Sequence, residues 1–342
     1  MIKSIRLTNF RLFEKKEINV NNSFVIFSGK NATGKTSVLE AIYLASTTKS
    51  ERTNDLSNVI TFGKEYSKIE IDDDKKYKVT ISKDGKGLFI NNREIKKTGE
   101  YIGNLNVCMI SPSDISLVNG SKLEKRRFLD LNISLLDKMY LNMSGRYKKL
   151  LNERNALLKE KTIDTVMLNV LTSDLSEALK VIYEARINFL NKLNNYLKSI
   201  CSDMHIESIR LLYEPTYNPD DILKSYEAKL SYDMFNKITS IGSHRDSFKI
   251  LINENDASQF ASEGQSRIIY IALKLALKKI ITESKGEPIL LLDDIFQALD
   301  NTRIASLTKY VKESKQVFIT TTSVLDIPDD ILSDSVVIRI EN

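Results

Sequence analysis

Residues Gly29-Lys30-Asn31-Ala32-Thr33-Gly34-Lys35-Thr36 fit the pattern G-x-x-x-x-G-K-[ST], and Ser37 follows directly. This is the chemistry of a nucleoside triphosphate. The glycines let the backbone wrap phosphate groups, and amide N–H groups at a helix start favour an anion. Lys35 would reach the β- and γ-phosphates, and the Thr36 hydroxyl would hold Mg²⁺. The loop alone leaves ATP and GTP both open.

Two carboxylates stand far along the chain. Pro288 to Leu292 is an apolar run that ends in Asp293-Asp294. Such a run reads as a buried strand delivering its acids to the C-terminal end, where α/β sheets place ligands. Asp293 would orient the Mg²⁺ shell, and Asp294 would polarise an attacking water. Lys35 and Asp294 are therefore the candidate catalytic residues. Roughly 250 residues lie between the two motifs, so a large insertion must separate their strands.

A third element is Phe260-Ala261-Ser262-Glu263-Gly264-Gln265-Ser266, just before the amphipathic stretch Arg267 to Ile281. Ser262 can cap that helix, and its exposed N–H groups would form a second anion site. In this order the residues resemble the signature segment of the ATP-binding-cassette (ABC) superfamily. That resemblance implies that Ser262, Gly264 and Gln265 meet the γ-phosphate held by another protomer. The result would be a head-to-head dimer around two ATP molecules. Asp300, just past the double acid, would lie in the dimer-contact loop.

These groups need elements to position them. Ile2 to Asn9 alternates and reads as a strand, and Phe24 to Phe27 reads as a buried strand ending at Gly29. Ser37 to Ser46 reads as a helix. Ile69 to Ile90 predicts short antiparallel strands with polar turns at Asp72-Asp73-Asp74 and Asp84-Gly85. From Lys122 to about Ile200 there is no proline, and Gly145 is the only glycine. Tyr147, Leu150, Leu151, Leu157 and Leu158 share one helical stripe. Leu175, Leu179, Ile182, Phe189, Leu193, Leu197 and Ile200 share another. This predicts a helical block of roughly 80 residues inserted into an α/β domain. Residues 1–120 and 202–342 would form lobe I, and residues 121–201 the helical lobe II.

Composition narrows the class. With 42% hydrophobic and 28% charged residues, the chain is globular rather than disordered. Two cysteines exclude a disulfide framework and a four-cysteine zinc site, and they fit a reducing cytosol. No signal-peptide core or run of roughly 20 apolar residues occurs, so a cytoplasmic protein with no membrane association is expected. Net charge is only +5, but its distribution is uneven. Gly120 to Glu160 carries ten Lys/Arg and five Asp/Glu, while Gly286 to Asn342 carries five and ten. Lys122, Lys125, Arg126, Arg127, Arg146, Lys148, Lys149 and Arg154 populate the basic block. They are either solvated helix surface or a face that tracks DNA phosphates. Few aromatics interleave the charges, which argues against single-strand stacking as the main mode.

The whole pattern resembles the RecF family of bacterial recombination-repair proteins, essentially end to end. The match is carried by Ile5 to Arg11, the phosphate loop with Leu39 to Tyr43, and Ser111 to Ser121 with Lys125 to Asp130. It continues in Tyr147 to Leu158 and in Phe260 to Arg267 with Ala272 to Ala276. Gly242-Ser243-His244-Arg245-Asp246 resembles the family's Gly-Pro-His-Arg-Asp. The implied fold is α/β: an ABC-type ATPase head, with a mixed sheet, flanking helices and a small antiparallel sheet, plus the inserted helical lobe. The implied cofactors are ATP and Mg²⁺, with Arg11 a phosphate contact. The implied function is a DNA-binding ATPase that dimerises with ATP. It would act on duplex DNA at single-strand gaps and stalled forks. With RecO and RecR it would help load the RecA recombinase and support the SOS response.

Three features depart from expectation. Glu263 stands where the family usually has Gln, and Gln297-Ala298 stands where it has Ser-Glu. No switch histidine follows Gln316 to Thr322, which ends in threonines. An acid beside a γ-phosphate motivates the expectation of slow turnover, below about 10 s⁻¹. A scaffold that binds ATP without hydrolysis is the alternative, because Asp replaces the commoner Glu at 294. SMC-like and Rad50-like machines need long coiled coils, and a nuclease of the overcoming-lysogenisation type needs an added domain; the length has room for neither. A transporter ATPase would show a glutamine loop, and none precedes Pro112. His244-Arg245-Asp246 mimics a kinase loop, but Leu251 occupies the place where that loop needs Asn. Cys108 reads as core.

Overall fold

The computed structural model describes residues 1–341, without the side chain of Ala298. Asn342, the last residue of the expected lobe I, lies outside the described residues. The chain forms two compact units. The first holds Met1–Ile115, Ser199–Ile206 and Glu263–Asn342; the second holds Ser116–Lys198 and Glu207–Ser262.

In the first unit a parallel sheet runs in the order Ser335–Arg339, Phe24–Ser28, Val317–Thr321, Ile289–Asp293 and Val107–Ile110. Four of its strands are near-continuous buried apolar runs, as strands covered on both faces must be, while the edge strand Ser335–Arg339 stays partly exposed. A separate antiparallel sheet runs Phe13–Asn19, Ser4–Phe10, Tyr66–Asp72, Lys76–Ser82, Gly85–Ile90 and Arg93–Glu94. It has six strands against five in the parallel sheet.

Helix Lys35–Thr47 packs against strands of both sheets. Val38, Leu39, Ala41, Ile42, Leu44 and Ala45 are all buried. A helix apolar on every side belongs between two layers, and here it fixes the phosphate loop at its start. Helix Glu263–Lys285 departs from its amphipathic reading, because every residue from Ile268 to Lys278 is buried. Its two buried lysines are paired rather than solvated. Lys274 meets Asp114 at 2.7 Å, and Lys278 meets Glu287 at 2.5 Å.

Between Lys122 and Asp203 the chain forms three long helices, and the second unit adds a further helix at Ile222–Asn236. The first three carry the expected helical block. They are Lys122–Leu136, Lys138–Leu157 and Thr165–Asp203, the last continuing into the first unit from Ser199. Asp137 splits the first pair, because its carboxylate caps the N–H groups of Met139 and Tyr140. The third helix has 39 residues, about 58 Å at 1.5 Å per residue. Its stripe from Leu175 to Ile200 is buried as the spacing predicts. Glu207–Ser262, which alternation alone assigns to lobe I, belongs to this unit. Strands Ile209–Glu214 and Ser247–Ile252 pair with each other, and the latter packs on helix Lys122–Leu136. Their apolar face is therefore covered within the second unit. Among the described residues no helix is long and apolar enough to cross a membrane.

Candidate nucleotide-binding site

Three adjacent parallel strands end at one place in the first unit. Phe24–Ser28 leads into the phosphate loop, Ile289–Asp293 ends at the double acid, and Val317–Thr321 lies between them. Gly34 has φ +100°, and a Cβ there would stand 2.5 Å from the Phe13 ring. Only glycine fits that turn into the helix. The buried Lys35 ammonium donates to the Gly29 and Lys30 carbonyls, each at 2.9 Å. It is thus aimed back across the loop, and the buried Ser37 follows in the first turn.

The Thr36 hydroxyl donates to Asp293 Oδ1 at 2.8 Å, joining residues 257 apart in sequence. Thr320 donates to the same oxygen at 2.6 Å. Burial pushes the Asp293 carboxyl above its ordinary range, against the pull of these two hydroxyls, and neighbouring Asp294 adds to the rise. Thr36 and Asp293 are hard oxygen donors, which suits Mg²⁺, an ion held by few protein ligands alongside phosphates and waters.

Asp294 sits differently. Its φ is +50°, a left-handed conformation costing on the order of 1 kcal/mol for a non-glycine residue. Its N–H is tied to Thr320, at 3.0 Å to Oγ1 and 3.3 Å to the carbonyl. Its Oδ1 is buried with no hydrogen-bond partner among the described residues. Burial raises its pKa, with Lys35 opposing. A strained residue with an unsatisfied carboxylate oxygen is available to take a proton.

Residues 1–326 match the family model described as RecF/RecN/SMC N terminal domain. The DNA replication and repair protein RecF of Acholeplasma laidlawii is 39% identical over 325 residues, covering 94% of this chain and 93% of that protein. The chain belongs to the RecF family. RecF of Bacillus velezensis is 36% identical, covering 100% of this chain and 98% of that protein. A solved structure of the recombination mediator protein RecF-ATP in the RecFOR pathway superposes with a TM-score of 0.91 at 30% identity, covering 99% of this chain and 95% of that one. An Smc head bound to the C-terminal winged-helix domain of ScpA gives 0.56 at 16% identity, over 100% and 94% of the two chains. The fold is that of an ABC-type ATPase head.

Within this RecF-family chain, other singled-out residues are placed as follows. Arg11, at φ +54°, grips Glu40 through Nε at 2.9 Å and a terminal nitrogen at 2.5 Å. Its other terminal nitrogen donates to the Asn58 carbonyl at 2.8 Å. Glu40 lies on the phosphate-loop helix, so Arg11 ties the antiparallel sheet to that helix. Ser262 and Gly264 are exposed at the start of helix Glu263–Lys285, and Gln265 is half-buried. Glu263 is paired with Arg267 at 2.5 Å, one turn on. Asp300 caps helix Asn301–Lys312 and pairs with Arg303 at 2.9 Å.

The basic block divides. Lys122, Arg127, Arg146, Lys148 and Lys149 are exposed, with Arg146 paired to Asp174. Lys125 is buried, its ammonium 5.9 Å from the centre of the Phe248 ring, so it is not on a DNA-facing surface. Arg126 donates to the Asp246 carbonyl at 3.0 Å, inside the unit. Arg154 is fully buried against Asp233, Thr239 and Thr172. Packing on the second unit's own sheet claims Lys125 and Arg126, and residues of two neighbouring helices and the segment after them claim Arg154.

The Gly242-to-Asp246 segment is a structural knot. Gly242 has φ +122°, and a Cβ would overlap the Tyr147 hydroxyl at 2.1 Å. His244 Nε2 contacts the Thr239 carbonyl at 3.0 Å, and Nδ1 contacts the Tyr147 hydroxyl at 2.9 Å. A carbonyl only accepts, so Nε2 carries the proton and Nδ1 accepts from Tyr147. Sequence reasoning missed Thr320 and Glu40. The threonine run was visible, but periodicity cannot say which hydroxyl faces an acid two strands' worth of chain away.

Proposed function

We propose that this protein is an ATP-dependent DNA-binding protein that dimerises on ATP and clamps duplex DNA at single-strand gaps and stalled forks. It acts in the cytoplasm with RecO and RecR to promote RecA loading in recombinational repair and the SOS response. Slow, DNA-stimulated hydrolysis resets it. The observation that carries this reading is the bond from Thr36 to Asp293, which closes the phosphate loop on the double acid beside Asp294. The choice of ATP over GTP is supported by the RecF-ATP structure to which the chain is similar.

In this reading the amides from Gly29 to Ser37, including those of Asn31, Ala32 and Thr33, cradle the phosphates. Lys35 pairs with the β- and γ-phosphates. Thr36 and Asp293 hold Mg²⁺, which supplies positive charge to the phosphates when bound. Asp294 accepts the proton of the attacking water. Arg11 shares its guanidinium between Glu40 and a phosphate. Ser262, Gly264 and Gln265 reach the γ-phosphate of a second protomer, and Asp300 stands at that dimer contact. Lys122, Arg127, Arg146, Lys148 and Lys149 supply sequence-independent contacts to DNA phosphates.

Light scattering with ATP, ADP or no nucleotide, and duplex DNA titrated in, tests the reading. ATP is expected to double the mass of the parent chain but not of Ser262→Arg, and DNA is expected to join only the dimer. A mass indifferent to nucleotide would sink the clamp and leave a monomeric ATP-binding adaptor.

A further inference from the structure

The basic block holds few aromatics, but the second unit exposes two of them elsewhere. On helix Ile222–Asn236, Phe235 is 86% exposed and Tyr232 57%. They stand three residues apart, so their rings share one face of the helix. The opposite side carries the buried Ile222, Tyr226 and Asp233. Lys224 and Lys229 are exposed on the same helix, and Lys237 is exposed at its end. The Lys229 ammonium lies 6.0 Å from the centre of the Tyr232 ring. Among the described residues no carboxylate pairs with any of these three ammonium groups, and Glu227 is the only exposed acid within the helix. Lys237 has φ +55° where it ends the helix, a position at which glycine is the default. The fold thus keeps a cation where the backbone favours glycine.

Contacts within the unit place this helix end. Asp233 pairs with Arg154 at 2.8 Å, and the Thr239 N–H donates to the Asn155 side chain at 2.7 Å. Both partners lie on Lys138–Leu157, the helix that also carries Arg146, Lys148 and Lys149. Chemistry then selects the occupant of the exposed face. An apolar protein surface would strip water from unpaired ammonium groups, and lysine is depleted at the cores of such interfaces. A flexible polyanion with flat rings satisfies both features. Its phosphates meet the lysines, and its bases stack on Tyr232 and Phe235. Intact duplex cannot do this, because its bases are already stacked inside the double helix.

We propose that Tyr232 and Phe235 form a stacking platform for unpaired bases of single-stranded DNA, with Lys224, Lys229 and Lys237 holding its backbone. This rests on the reading above that the protein acts on DNA at single-strand gaps, and it adds where the unpaired strand goes. Duplex contacts from Arg146, Lys148 and Lys149 and single-strand contacts from the platform then come from neighbouring helices of one unit. Every base has a π-face, so the platform takes any sequence.

The test uses the full chain with Mg-ATP and three probes: oligo(dT), blunt duplex and gapped duplex. The chain has no tryptophan, so Phe235→Trp supplies a single emitter at the platform. Its emission is expected to be quenched by oligo(dT) and by gapped duplex, and unchanged by blunt duplex. Phe235→Ala and Tyr232→Ala are each expected to weaken oligo(dT) binding about 10-fold, with blunt-duplex affinity within about twofold. Lys237→Gly should reduce the salt slope of oligo(dT) binding by about 0.7. All these side chains are exposed, so the variants should fold as the parent does. Unquenched emission at saturating oligo(dT), or undiminished binding in both alanine variants, overturns the inference and leaves the face to a protein partner. Quenching that grows with protein concentration and needs no DNA also overturns it, and assigns the face to a second copy of this chain. A parent that binds blunt duplex but not oligo(dT) overturns this inference and spares the duplex clamp. A parent that binds no DNA overturns both.

Discussion

Two aspartates, each marked by a sequence motif, sit in opposite situations. Asp246 in the second unit is fully buried and accepts from the Tyr213 hydroxyl at 2.7 Å, the Thr216 N–H at 2.9 Å and the Thr216 hydroxyl at 2.8 Å. Arg186 stands 3.8 Å away. Asp294 in the first unit has strained backbone and a buried oxygen without a partner among the described residues. Burial raises the pKa of both carboxyls, so the direction of shift does not tell them apart. The number of hydrogen bonds does. A buried carboxylate with its lone pairs used braces a fold; one left short lowers stability and stays free for chemistry.

The largest expected effect lies in the braced region. Asp233→Ala would strand the buried Arg154 guanidinium, which already has one terminal nitrogen without a partner among the described residues. Urea unfolding should show a loss of about 3–5 kcal/mol. A loss under about 1 kcal/mol would mean that the Arg154–Asp233 pair is no brace.

Asp294→Asn is expected to do the reverse. Hydrolysis should fall about 100-fold, equivalent to about 2.7 kcal/mol, while the unfolding midpoint stays level or rises. Equal destabilisation by Asp294→Asn and Asp246→Asn would erase the contrast drawn here.

A pH series sharpens it further. Burial lowers His244 to about 4, and the neutral ring is the one that accepts from Tyr147. Its unfolded value is about 6.5, so the unfolded chain binds more protons between the two values. Stability from this group is complete above about pH 6.5 and is lost as pH falls through about 4. Thermal melts from pH 7 to 4.5 should show a falling midpoint, and His244→Asn should flatten that slope. An identical slope in the variant would assign the acid sensitivity elsewhere.

The smallest effect separates exposed from buried cations. Arg127→Ala should reduce the salt slope of DNA binding by about 0.9, and Lys125→Met should leave it unchanged. Equal slopes for the two variants would put Lys125 on the DNA side after all.

Much of the first unit was legible because its signals are local. A phosphate loop is a contiguous octet, the double acid ends one apolar run, and the antiparallel strands alternate with polar turns between them. The errors came where a local pattern has two tertiary solutions. The lysines of helix Glu263–Lys285 imply a wet face, but Asp114, 160 residues away, pairs with Lys274, and Glu287, just past the helix end, pairs with Lys278. The cations Lys125, Arg126 and Arg154 look like their exposed neighbours until a sheet is packed on the first two and two more helices on the third. Glu207–Ser262 reads as more α/β domain because period two does not say which layer a strand covers.

By itself, then, the sequence determined that a phosphate loop opens a helix, that two acids close a buried strand, and that a long helical segment separates them. These are properties of residue type and spacing along a few turns or one strand. Only the tertiary structure decided that Thr36 and Thr320 share Asp293, and that Asp294 keeps an oxygen unmatched among the described residues. Hydrogen-bond partners across sheets depend on strand order and register, which are set by how apolar faces are covered, and no local pattern encodes that.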